Sequence, residues 1–210
     1  MKKKYALIFA LIISCNCYAQ EYFFKDINAF KFAPLRIIDP INPGLEFSFE
    51  KQILPFASVQ LTVAQLQIFV KDISLPITNL KGMRWAFETK YFLAQARKSV
   101  WYVSFEPVYL KSSYNTILNF SYYDDSITVK KQTLSFNFKT GVYFDFKPVV
   151  LEFFTGIGFK SRNVRHEGRL HPDDAIYNEL LPYNPHYFAS LESRKLKLNV
   201  PLGIRVGYNF

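Results

Sequence analysis

The stretch Leu196-Lys197-Leu198-Asn199-Val200-Pro201-Leu202-Gly203-Ile204-Arg205-Val206-Gly207-Tyr208-Asn209-Phe210 decides the fold. Its even positions are Leu, Leu, Val, Leu, Ile, Val, Tyr and Phe; its odd positions are Lys, Asn, Pro, Gly, Arg, Gly and Asn. Side chains on a strand point alternately to two faces, so a period of two puts all the large apolar groups on one face. The small, polar and charged ones fall on the other.

The same alternation recurs upstream. Leu151, Phe153, Ile157 and Phe159 face away from Glu152, Phe154, Gly156, Gly158 and Lys160, and Leu134, Phe136, Phe138 and Val142 away from Ser135, Asn137, Lys139 and Gly141. Trp101, Val103, Phe105 and Tyr109 alternate with Tyr102, Ser104 and Glu106; Trp85, Phe87 and Tyr91 alternate with Arg84, Ala86, Glu88 and Lys90. Val59, Leu61 and Val63 oppose Ser58, Gln60 and Thr62, Leu45, Phe47 and Phe49 oppose Glu46, Ser48 and Glu50, and a weaker first strand sets Phe30 and Phe32 against Lys31. Eight strands are predicted. Pro107 and Pro201 fall inside two of them, and each removes a ladder hydrogen bond, so a bulge or a shifted boundary is expected at both.

The predicted connections alternate in length. Links at Lys51 to Pro55, Leu93 to Ser99 and Asp145 to Lys147 are short, those at Gln67 to Gly82, Ser112 to Thr128 and Ser161 to Arg194 are long and polar, and Arg36 to Pro43 is intermediate. Short turns at one end and long loops at the other fit an all-β, eight-stranded, antiparallel up-and-down transmembrane barrel, with short periplasmic turns and long extracellular loops.

The start of the chain agrees with export. Lys2, Lys3 and Lys4, the apolar stretch Tyr5 to Ile13, and Cys17-Tyr18-Ala19 before Gln20 read as a signal peptide over 1–19. Residues 20–210 are then one barrel domain. A second reading makes Ile12-Ile13-Ser14-Cys15 a lipoprotein box with Cys15 lipidated. Cleavage after Ala19 removes both cysteines, and with them disulfides, cysteine metal sites and cysteine nucleophiles. Losing the three leader lysines takes the formal charge from +9 to +6. An exported chain with no long basic run is not expected to bind nucleic acid; anionic lipid headgroups or acidic glycolipids suit the excess better.

Alternation alone leaves open which face looks outward, since a soluble lipocalin-like carrier alternates too. An eight-stranded barrel has an interior just wide enough for side chains or one small ligand. Trp85, Trp101 and many of the 22 Phe would overfill it. The opposite face can close on itself, with Glu46, Glu50, Glu88, Glu106 and Glu152 paired with Arg84, Lys90, Lys139, Lys160 and Arg205, because buried charge is tolerable when paired.

Chemistry is sparse. His166, His171 and His186 all fall in the last long link, none on a predicted strand, which leaves no catalytic pair on a rigid wall. His166-Glu167, His171 and Asp173-Asp174 could gather a divalent metal but lack fixed spacing. Gly156-Ile157-Gly158 lies in a strand and is no phosphate loop. No catalytic, cofactor-binding or metal residue is assigned, and no cofactor is expected.

The leader, the eight strands, the rhythm of the links and the terminal Tyr208-Asn209-Phe210 resemble small outer-membrane barrels of the OmpX and OmpA-barrel type. Asn28 to Leu35 with Leu45 to Lys51 is similar to the opening hairpin of outer-membrane barrel families that carry no agreed activity. The resemblance implies a monomer in the cell outer membrane, in contact with outer-membrane lipids and lipopolysaccharide. It also implies recognition by the barrel-assembly machinery through Ile204, Val206, Tyr208 and Phe210. The expected role is structural, or surface interaction through the long loops, without catalysis; the alternatives are a lipid A modifying enzyme and a soluble lipocalin-like carrier.

Overall fold

A computed structural model describes residues 27–39, 42–67, 77–96, 99–119, 124–171 and 193–210. The leader, Cys15, Asp173, Asp174 and His186 lie outside the described residues. The chain runs β1 (Asn28–Phe32), a 3-10 helix (Pro34–Ile38), β2 (Gly44–Leu54), β3 (Ala57–Leu66), β4 (Ile77–Ala96), β5 (Ser99–Asn119), β6 (Asp124–Phe146), β7 (Val149–Glu167), β8 (Ser193–Asn199) and β9 (Leu202–Asn209). Each strand pairs antiparallel with the next from β1 to β7, and β9 joins β7 to β1, so one sheet of nine strands closes in a ring.

The ring is eight strands around, because β8 and β9 lie end to end along β7 in a single register. Asn199 faces Gly158 and Leu202 faces Thr155, so the chain breaks at Val200 and Pro201 without slipping. Proline has no N–H for the ladder, and the interruption falls where that donor is missing. Pro107 behaves differently. It stays inside β5 opposite Phe136, and on the other side the pairing with β4 lapses between Ala86 and Thr89 and resumes in the same register, so no bulge forms there.

The three short links end in strands on both sides: β2 turns into β3 at residues 55–56 and β6 into β7 at residues 147–148, while β4 ends at Ala96 and β5 begins at Ser99. The opposite, far end differs from the expected long loops. β5 continues to Asn119 and β6 begins at Asp124, so most of Ser112 to Thr128 is strand; β4 starts at Ile77, and β7 reaches Glu167. Inward alternation persists there, with Ser112, Tyr114, Thr116, Ile127, Val129 and Lys131 buried. Their outward neighbours Lys111, Ser113, Thr128 and Lys130 are polar, so the contrast between faces fades while the ladder goes on. His166, expected in a loop, stands on β7 opposite Val129.

The interior is layered. At the turn end Ile27, Ala29, Phe92, Val100, Tyr102, Tyr143 and Val150 pack together with Phe154 against them. At the far end Leu66, Leu80, Leu110, Tyr114, Ile127, Val129 and Val164 form a second apolar cluster. Between them lie buried charges. The outer wall is the reverse, with Phe136 44% and Trp101 52% exposed. Phe105 stacks on Phe136 at 6.3 Å and meets Phe138 at 5.2 Å, while Phe30 stacks on Phe47 at 5.7 Å. These are cross-strand contacts of the kind that brace sheets.

Closure is uneven. The β1–β9 ladder is short, Ala29 to Phe32 against Val206 to Asn209, extended by Asn28, which accepts from the Phe210 N–H and donates to the Asn209 side chain, both at 2.9 Å, whereas β5 is paired with β6 along its whole length. Two inward glycines make room for rings: a Cβ on Gly141 would lie 2.5 Å from the Tyr102 hydroxyl and 2.6 Å from the Phe153 carbonyl oxygen, and one on Gly203 2.5 Å from the Phe154 ring. Gly141→Ala is expected to destabilise the fold by roughly 1–3 kcal/mol, as overpacking does; thermal melting followed by circular dichroism measures it.

Candidate functional site

The charged layer arises from the strand period itself. Glu46 and Glu50 on β2, Glu88 and Lys90 on β4, Glu106 on β5, Lys139 on β6, Glu152 on β7 and Arg205 on β9 all fall on inward positions, with Lys31 from β1 and Arg84 from β4. All ten are buried. A lone buried carboxylate or ammonium costs several kcal/mol, so the layer survives only by mutual pairing.

Two linked groups result. Lys31 bridges Glu50 and, at 2.6 Å, Glu152; Lys90 reaches the same two carboxylates at 2.8 and 2.7 Å. Lys139 bridges Glu88 at 2.8 Å and Glu106 at 3.0 Å, and Arg84 holds Glu46 at 2.6 Å. Arg205 joins the groups, with its two terminal nitrogens 3.1 Å from Glu88, 3.4 Å from Glu106, 3.4 Å from Glu152 and 3.8 Å from Glu46. A planar guanidinium with several donors suits that hub; an ammonium point charge does not.

Neutral groups occupy further positions around the carboxylates. Tyr102 donates to Glu152, Ser58 to Glu50, Ser104 to Glu88 at 2.6 Å and Asn137 to Glu106 at 3.0 Å. Gln60 accepts from Lys90 at 2.9 Å and from Lys31 at 3.3 Å. Rings cover the cations: Lys31 lies 4.7 Å from the Tyr143 centroid, Lys90 4.9 Å from Tyr102, and Lys139 and Arg205 each 4.4 Å from Phe154.

The sequence reading names all five glutamates and four of their five partners. Lys160 does not join the cluster: it donates to Asn199 at 3.2 Å. Lys31 takes the fifth place, and its position between Phe30 and Phe32 already marked it as inward. Arg36, on the 3-10 helix, donates to Glu46 at 3.1 Å and pairs with Asp39, while Asn42 accepts from Lys131 on β6 at 2.8 Å. The segment between β1 and β2 is thereby fastened to the far mouth of the lumen. Burial alone would lower the Arg36 pKa, but the Glu46 and Asp39 carboxylates outweigh it and raise it above the ordinary value.

Other positions carry less. Among the described residues no group of three or more His, Cys, Asp or Glu could hold a metal. A groove of about 710 Å³ lies on the outer wall across β4 to β7, with Thr89, Phe105, Phe138, Thr140, Thr155 and Ile157 among its lining. Thr140 turns its hydroxyl to the Tyr102 carbonyl at 3.2 Å, which leaves the groove a largely apolar surface. No protein-family model, curated protein or solved structure matches the chain.

The cluster is braced from many sides and gives the lumen a fixed, charge-matched filling. Glu152→Gln leaves Lys31, Lys90 and Arg205 short of a counter-charge, and breaking a buried pair in this way costs about 3–5 kcal/mol. The expected result is a sharply lower midpoint in denaturant titration with unchanged strand content below the transition; an unchanged midpoint would contradict the pairing.

Proposed function

We propose that the chain is an integral outer-membrane β-barrel that works as a closed, structural or surface-contact element and not as an open pore. The observation that carries this reading is the inversion of the two faces: large rings stand on the outside of a closed ring while Glu88 and Arg205 are 0% and 1% exposed within it. A water-soluble carrier needs the opposite arrangement, with an apolar cavity inside and charge outside. Hydrocarbon is the solvent that makes the observed wall favourable, since closed barrels satisfy every backbone group internally.

Strand length supports the same reading. About 9–11 tilted residues cross a bilayer, whereas β4, β5 and β6 have 20, 21 and 23 residues. Counted from the turn end, the continuous outward apolar series runs to Met83, Tyr109 and Leu134, and the remainder of each strand, mostly polar outward with Ile117 on β5 the exception among the described side chains, projects beyond the membrane. That far end is the surface proposed to meet the outside. The filled lumen supports a barrel without solute passage, and the expected partners are outer-membrane lipids, lipopolysaccharide and, through Phe210, the assembly machinery.

Carbonate washing of membranes is expected to leave the protein in the pellet, and unboiled detergent extract to migrate differently from boiled extract on electrophoresis. Release into the supernatant would end the membrane reading. In planar bilayers the wild-type barrel is expected to show no steady ion conductance, and a stable open channel would refute the closed lumen.

A further inference from the structure

Just beyond the apolar band, the outer wall carries a row of cations. β4, β5, β6 and β7 carry the exposed cations Lys81, Lys111, Lys130 and Arg165. Three of them share one row of the ladder: Lys81 is paired with Ser113, Ser113 with Lys130, and Lys130 with Arg165. Lys111 stands in the next outward row, opposite Met83 and Gln132. With neighbouring strands about 4.8 Å apart, the row from Lys81 to Arg165 spans roughly 14 Å.

On β2 and β3 the wall at this level is neutral, with Leu45 and Gln65 in the row of Lys111 and Gln67 beyond them; on β8 the row of Lys111 continues through Gln132 and Asn163 to Arg194, and Leu196 and Leu198 stand lower, opposite Ser161 and Phe159. One acid answers the row, Glu167, 2.6 Å from Lys130 with both side chains more than half exposed. A surface pair of that kind is worth little and does not cancel four cations. Below the cations the wall turns apolar, directly on β4 and β5 with Met83, Trp85 and Tyr109, after Gln132 on β6 with Leu134, and after Asn163 and Ser161 on β7 with Phe159.

A ligand that uses both halves of this surface carries several negative charges spread over the width of the row and long apolar chains beneath them. A free anion gains nothing from the apolar wall, and a lipid with a neutral headgroup gains nothing from the cations. We infer that the β4–β7 sector binds a lipid bearing more than one phosphate in the leaflet facing the far end, with Lys81, Lys111, Lys130 and Arg165 as its headgroup contacts. This inference rests on the membrane reading and adds a sector and a ligand class to it.

The test uses the full-length barrel folded in neutral detergent micelles, titrated with bisphosphorylated lipid A, with its dephosphorylated form and with inorganic phosphate, and followed by native mass spectrometry. The bisphosphorylated lipid is expected to bind at least tenfold more tightly than the dephosphorylated one. The combined variant K81Q/K111Q/K130Q/R165Q is expected to lose that preference, at roughly fivefold per cation removed. K51Q/K147Q, which removes exposed cations at the turn end, is expected to keep it. Every variant is checked for the folded band on unboiled gels; the altered side chains are exposed, so folding is expected to persist. Equal affinity for both lipids, retained preference in the combined variant, or displacement by millimolar inorganic phosphate would overturn the assignment. Carbonate release of the wild type would instead overturn the membrane reading on which it stands.

Discussion

The cost of burying charge governs this structure. Ten ionisable side chains meet in the middle of the ring, five carboxylates with five cations, and no one of them is tolerable without the others. Because they come from β1, β2, β4, β5, β6, β7 and β9, the cluster ties strands that share no ladder. Backbone pairing fixes each strand to its neighbours; the ion network fixes the ring across its diameter. The apolar clusters at the two ends keep water from the network and so preserve its strength.

The same packing limits which surfaces are accessible. A lumen filled by Arg205, Tyr102, Tyr143, Lys31 and Lys90 leaves the outer wall and the far end as the surfaces through which the protein meets other molecules. The wall is uniform in hydrophobicity but not in charge. Its exposed cations run across β4 to β7, while β2 and β3 present Leu45 and Gln65 at the same level, so the two sides of the ring differ in charge.

Much of this was legible from residue order, because a period of two assigns each side chain to a face without knowledge of its neighbours. Glu46, Glu88, Glu152 and Arg205 were placed inward on that basis, and Trp101 and Phe136 outward. Register was not legible, and it is register that sets Lys31 opposite Gly207 and Gly207 opposite Val150, within reach of Glu152; Lys160 stands on β7 itself, too far along the strand from Glu152 to pair with it. The far ends of β5 and β6 were read as loop because Lys111, Ser113, Thr128 and Lys130 lack the apolar contrast that marks a strand, yet their backbone groups continue the ladder. His166 was misplaced for the same reason. Pro201 interrupted its strand as its missing donor requires, while Pro107 was absorbed by a lapse in pairing with β4 that alternation cannot reveal.

The short junction between β1 and β9 gives the cylinder a mechanical character. Four ladder pairs and the two bonds of Asn28 stitch it, so sideways tension on the wall concentrates along that line. Lys31 sits directly behind it, reaching from β1 past β9 to Glu152 on β7 at 2.6 Å. The hoop is therefore fastened from within by a clasp of opposite charges, set behind its shortest seam.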